Sequence, residues 1–332
     1  MHRLPYIDSY KRGIRFITNN PMKEVWNKIE LYGTVDNLKE VIKKKGNDQS
    51  NAAQASLFIR QSLELHMVSI DTSILIRPLM LYYSMLNLIR GMMLAYTGSF
   101  GEHTHGLRYV GAKDLLDCSA VVTSKGTFKR FAKSINAPDR LLDKQSYSLK
   151  ELFSFIPEIL PEFNLLKIGP SSVVRVQVLG YGNGVTELKY QIPNISKEKF
   201  ESNWEKYFPW FKDICEISSP FSLKVKKTNK DNNDVANFCR KYLINELSCD
   251  DAPNWFDNIV FNEDRLLKRP TAYIAALFIL SNISRYEPQL LNEPTIGLTN
   301  TGYLLKIFLE KCEQHFPQMM LELILSEPVY LG

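Results

Sequence analysis

Residues 74–109, ILIRPLMLYYSMLNLIRGMMLAYTGSFGEHTHGLRY, constrain the fold of this chain more than any other stretch. Pro78 fixes φ and lacks an N–H, which suits the first turn of a helix. From there to Thr97 no further Pro occurs and Gly91 is the one internal Gly, with a stop signal at Gly98, so about five helical turns are expected. Leu81, Met85, Leu88 and Met92 recur at the spacing of a buried stripe. Tyr83, Asn87 and Arg90 form a second, polar stripe on a segment otherwise apolar nearly all round. A buried Asn or Arg is costly unless paired, so this stripe is either a satisfied packing network or the edge of a site. A membrane span is excluded on length, because twelve residues separate Arg77 from Arg90 against the ~20 that a spanning helix needs.

The rest of the chain reads mainly as helix. A helix is expected around Met22–Leu31, and another over Asn51–Ile70 that packs antiparallel on the one opening at Pro78. Between them, Lys43–Lys45 and GNDQSN read as a helix end, a turn and the next N-cap, with the lysines on a solvated face. The segment SAVVTSKGTFKRF reads as a short strand, a turn at Lys125–Gly126 and a return segment. Ser148, three residues before Glu151, carries a capping-box signal for a helix that meets Pro157 and Pro161. Two β-branched runs around GYGNG, within residues 170–195, predict a hairpin. Residues 197–215 read as helical with an aromatic cluster at Trp204, Tyr207, Phe208, Trp210 and Phe211. A lysine-blunted strand with Lys224, Lys226, Lys227 and Lys230 follows. RPTAYIAALFILSNISRYEP, NTGYLLKIFLEKCEQHF and PQMMLELIL are three further helices, the last starting at Pro317. The expected organisation is an N-terminal helical region (1–165), a small antiparallel β-rich insertion (166–230) and C-terminal helices (231–332) that return to the first.

Composition limits the chemistry. Lys and Arg number 41 against 36 Asp and Glu, a net charge of +5 that permits a polyanionic partner without arguing for one. Cys118, Cys215, Cys239, Cys249 and Cys312 are odd in number and lack CxxC spacing, so neither a disulfide framework nor a zinc site is indicated. No HExxH, GxSxG or Walker A motif is present, and no cofactor or metal is expected. With no secretory-type N-terminus, a cytoplasmic protein is expected. Of five histidines, His103 and His105 are the best acid–base candidates, since their loop lies close to Arg90, Arg108 and Tyr109.

RPLMLYYSMLNLIRGMML, the downstream HGL at 105–107 and the distant LSNISRYEP at 280–288 resemble, in that order, the YaaC-like proteins of bacteria. At a further remove the paired helices are similar to HEPN domains. The resemblance implies a cytoplasmic, HEPN-like helical bundle, commonly dimeric, with RNA-cleaving defence effectors or non-catalytic nucleotide-associated modules among its relatives. Such catalytic domains pair an Arg with a His four to six residues later for metal-independent attack by an RNA 2′-OH. Arg90 lies too far from His103 for that spacing. Arg60 and His66 fit it, but six helical residues turn through about 240° and the two would diverge. The expected catalytic set is therefore His105, His103 and Arg90. Tyr83 and Asn87 would orient it, and Arg269, Arg285 and Tyr286 would join from the second Arg-Pro helix. The expected partners are RNA or a nucleotide, and a second copy or partner protein, with no membrane. The alternative is a non-catalytic interaction or assembly module whose polar stripe is structural.

Overall fold

The computed structural model describes residues 14–135, 137, 139–169, 173–181, 184–191, 215–219, 222–225, 258–261, 267–325 and 329–331. The expected helix over 197–215 and the lysines at 226, 227 and 230 lie outside those residues, except that Cys215 opens a strand. The described chain is mainly helical, with small antiparallel sheets, as its periodicities predict.

The long apolar stretch folds as α4 (Arg77–Thr97), ended by Gly98 at φ 74°, whose N–H reaches Leu94 O. Leu81, Met85, Leu88 and Met92 are all buried, and so are most residues between them, as expected of a helix apolar nearly all round. It packs against α3 (Asn51–Ile70), and also against α8 (Arg269–Tyr286) and α10 (Asn300–Leu325). Arg77 at its start forms a two-pronged ion pair with Glu313 of α10, Nε to Oε1 at 2.6 Å, while Tyr96 near its end donates to Ile324 O at 2.8 Å. One helix is thereby tied at both ends to the C-terminal region. No described helix is long and apolar enough to cross a membrane.

The α3–α4 approach is close because Gly91 has no side chain. A Cβ there would stand 2.7 Å from Ile59 Cγ1 and 2.9 Å from Ala55 O, a backbone atom that cannot step aside. Gly91→Ala should therefore cost about 1–3 kcal/mol by overpacking, outweighing alanine's better helix propensity. Chemical denaturation measures this directly, and a neutral or stabilising result would refute the close approach.

Two local expectations are revised and one is made specific. The N-terminal segment holds two helices, α1 (Pro21–Tyr32) and α2 (Val35–Lys44), because Thr34 caps the second by accepting from Asn37 N. The return segment after Gly126 takes the form of helix α5 (Thr127–Ser134). Phe128, Phe131 and Ala132 are buried at helical spacing, whereas a strand would send Phe128 and Phe131 to opposite faces. The strand before it, β3 (Ser119–Val122), pairs instead with β2 (Leu107–Val110) and β4 (Ser146–Ser148), both antiparallel. Lastly, α10 runs unbroken through Pro317. The missing N–H costs a ladder bond, but Phe316, Met319 and Met320 are buried around it and outweigh that loss.

Other elements follow the sequence directly. Ser148 Oγ accepts from Glu151 N at 3.2 Å and opens α6 (Leu149–Ser154), followed by a short turn at 157–159 and α7 (Leu160–Leu165). The hairpin is β5 (Val173–Tyr181) with β6 (Gly184–Gln191), inside a five-stranded sheet ordered β7–β8–β6–β5–β9. There β7 is Cys215–Ser219, β8 is Ser222–Val225 and β9 is Asn258–Phe261. Because β9 pairs with β5, the sheet takes in chain beyond residue 230. A parallel pair, β1 (Ile14–Phe16) with β10 (Val329–Leu331), brings the two ends of the described chain together, and α9 (Gln289–Ile296) links α8 to α10.

Candidate functional site

The site is built where the loop after α4 folds back onto α4 and α8. That loop is clamped to the start of α5: Thr127 N donates to Thr104 O at 3.1 Å and Phe128 N to His105 O at 2.9 Å. Gly106 and Gly126 sit backbone to backbone at φ 83° and 116°, and a Cβ on Gly126 would fall 2.4 Å from Gly106 N. Only glycine allows both the dihedral and the approach. The clamp presents His105, half-buried, to the side of α4 that faces α8.

His105 Nδ1 lies 2.7 Å from Tyr82 Oη. Its ring is surrounded by Tyr82, Tyr83 and Phe278, with centroids at 5.5, 6.2 and 5.8 Å. Burial holds the His105 pKa below the usual imidazole value, and the positive charges of Arg90 and Arg285 lower it further. Tyr82 is buried, and its pKa is pushed far up by desolvation, so its phenol stays protonated. His105 is the hydrogen-bond partner the structure shows for that hydroxyl. A buried O–H needs an acceptor, so in the resting state Tyr82 donates to Nδ1 and Nε2 carries the ring proton. Tautomer assignment follows from this hydrogen-bond logic.

Arg90 crosses the mouth of the loop. Its Nη2 donates to His103 O at 3.1 Å, its Nε lies 3.5 Å from Thr127 Oγ1, and its guanidinium stacks over Phe100 at 5.4 Å. Arg285 comes from the end of α8, with Nη1 3.4 Å from Tyr83 Oη and its guanidinium 4.9 Å from the Tyr286 ring. Among the described residues neither Arg90 nor Arg285 forms an ion pair with a carboxylate. Two guanidiniums with no carboxylate partner among the described residues therefore share one corner with a neutral imidazole. Such an arrangement favours an anion, and phosphate oxygens are what arginine forks fit best.

His105, Arg90, Tyr83 and Arg285 come together here. His103 is exposed on the same loop, its ring edge-on to Phe100. Tyr286 is 66% exposed and reaches the group through Arg285. Asn87 is buried on the α3 side, with Nδ2 3.5 Å from Gln61 Oε1, so it belongs to helix packing. Arg269 opens the helix that Arg285 closes, sixteen residues and roughly 24 Å away at the helical rise. It is buried in an ion pair with Glu158 and does not join the cluster. The Arg60–His66 pair diverges as its spacing predicts: Arg60 is exposed, while His66 is buried against Trp26. The sequence reading missed Tyr82 and Phe278. The Tyr-Tyr pair was a signal for the first, since adjacent helical residues point about 100° apart and both could flank one ring. Nothing local marks Phe278.

Among the described residues no group of three or more His, Cys, Asp or Glu side chains is placed to hold a metal ion. No curated protein and no solved structure matches the chain. Its residues 25–324, which include α4, the His105 loop and Arg285, match the model of the YaaC-like proteins, and the chain belongs to that family.

Proposed function

We propose that this protein binds RNA or a nucleotide at the His105 corner, as a cytoplasmic HEPN-related factor of stress or phage defence, with metal-independent RNA cleavage as its reaction. The observation that carries the reading is the convergence of Arg90 and Arg285, neither ion-paired among the described residues, on a half-buried His105 held by Tyr82. A phosphate would lie between the two guanidiniums and accept from Nε2–H. For cleavage, the ring takes its other tautomer by exchange with water, Nε2 giving up its proton and Nδ1 gaining one, so that Nδ1–H donates to Tyr82 Oη. Nε2, neutral because its pKa is lowered, then takes the proton of the 2′-OH. The 2′-oxygen bonds to phosphorus and the bond to the 5′-oxygen breaks, leaving a 2′,3′-cyclic phosphate. The departing oxygen takes up a proton, with His103 the second imidazole of the loop in the role of acid. Arg90 and Arg285 stabilise the charge that builds on phosphorus.

Purified protein should cleave single-stranded RNA in the presence of a chelator, and His105→Ala should slow this by about 10²–10⁴-fold. Cleavage that survives the substitution would overturn the assignment. One observation favours a second reading, a non-catalytic interaction or assembly module. The Arg90 and Asn87 side chains hydrogen-bond to groups of the protein's own fold. That reading expects Arg90→Ala to lower the melting temperature, with RNA binding and cleavage absent from the parent protein.

A further inference from the structure

Beside the His105 corner, on the other side of the same loop, lies a cavity of about 280 Å³ lined by Gly101, Glu102, Ser124, Lys125, Gly126, Lys129, Arg130 and Lys133. Four of these residues are cationic and one is acidic. Lys125 pairs with Glu102 at 3.0 Å; Lys133 and Lys129 approach Asp139 and Asp143, both exposed, at 2.7 and 3.8 Å. Arg130, half-buried with its Cδ against Gly101, has no carboxylate partner among the described residues. Among the described residues, Glu102, Asp139 and Asp143 leave this concavity one cation in excess, the Arg130 guanidinium. The three lysines meet carboxylates of the fold, so Arg130 is the cation among these four that an anionic ligand would meet first.

The cavity and the His105 corner share one loop and the start of α5. The loop that supplies Gly101 and Glu102 continues to His105 within four residues, a reach of at most roughly 14 Å. One end of it is held to the start of α5 by backbone hydrogen bonds to Thr104 and His105, and the other runs past the Arg130 side chain. Arg90, which closes the His105 corner, touches the same α5 through Thr127 Oγ1. A short oligonucleotide strand spans that separation.

We propose that this basic cavity is a phosphate subsite that seats the backbone of a single-stranded RNA next to the nucleotide presented to His105. The proposal rests on the functional reading above in taking both places to hold one ligand. Its own content is that the Lys125–Lys129–Arg130–Lys133 surface supplies backbone affinity, separate from the chemistry at His105. Cationic contacts of this kind contribute salt-dependent affinity regardless of base sequence.

The test uses a fluorescently labelled 12-nucleotide single-stranded RNA and the full-length chain, with binding followed across salt concentrations. Arg130→Gln should weaken binding several-fold at low salt and lower the slope of log affinity against log salt by about 0.7, the release expected for one phosphate contact. Lys125→Gln, a change at an exposed turn that leaves the core untouched, should weaken binding similarly by leaving Glu102 bare. His105→Ala should bind RNA with an unchanged salt slope while losing cleavage. If Arg130→Gln and Lys125→Gln fold, by circular dichroism, and bind as the parent does, the cavity is not a phosphate subsite, even where His105→Ala abolishes cleavage. If both weaken binding but no cleavage occurs in the parent, the subsite stands and the catalytic reading falls. A parent protein that does not bind the RNA at low salt overturns both.

Discussion

Arg269→Met should destabilise the protein by about 3–5 kcal/mol, because it leaves the Glu158 carboxylate buried without its cation. The two side chains tie the start of α8 to the turn that precedes α7, and both lie inside the core. Glu322, also buried, loses the positive charge of Arg269 that favours its ionised form. A melting temperature lower by on the order of 10 °C is expected. The double substitution Arg269→Met with Glu158→Met should recover most of that loss, since desolvating an ion pair costs nearly what the pair returns. A cost below about 1 kcal/mol for Arg269→Met alone would show that Glu158 is solvated or protonated in the native state.

Arg269 also marks where sequence reasoning reached its limit. Arg77-Pro78 and Arg269-Pro270 look equivalent along the chain, and both open long helices. Their arginines nonetheless meet different carboxylates, Glu313 for one and Glu158 for the other, and neither pairing has a local signal. By contrast, the limits of α4 were legible because Pro78, the apolar run and Gly98 are all local. The capping box at Ser148 and the hairpin at GYGNG were legible for the same reason. The error at Pro317 has the opposite cause: a local cue, the proline, was outweighed by burial of residues that only the folded chain brings together.

The site shows the same division. His105 and Arg90 stood out because charged and ionisable residues are rare beside an apolar helix, and Arg285 was found through the Asn-x-x-Arg spacing that α8 shares with α4. Asn87 and Arg90 lie three residues apart yet part company in the fold, one turned to Gln61 of α3 and the other to the loop. Three residues turn a helix by about 300°, so a common stripe still spans some 60°. That is enough to divide it between two neighbours. Tyr82, which sets the His105 tautomer, was hidden by its twin.

The pH dependence of stability should be bell-shaped, with two buried groups forming its flanks. Glu322 is fully buried, accepts from Val329 N at 2.9 Å, and has its pKa raised by desolvation from 4.5 to about 8. Across that window the native protein holds a proton that the unfolded chain releases. Stability is therefore full below 4.5 and falls as the pH rises toward 8, by an upper limit of about 4–5 kcal/mol. His66 acts in the opposite sense. Burial against Trp26, with Arg77 adding repulsion, lowers its pKa from 6.5 to about 4, so the unfolded chain takes up the proton first. Its contribution is present above 6.5 and lost as the pH falls toward 4, by up to about 3 kcal/mol. The two trends oppose each other between 4.5 and 6.5, which places the maximum in mildly acidic solution. Denaturation midpoints measured from pH 4 to 9 should show Glu322→Gln flattening the alkaline flank while preserving the acceptor for Val329 N, which β10 needs to stay paired with β1. His66→Phe should remove the rise below pH 4.5 and let stability fall steadily from 4.5 toward 8. An alkaline flank that persists in Glu322→Gln would mean that this carboxyl is ionised in the native core, with Arg269 compensating it more fully than burial penalises it.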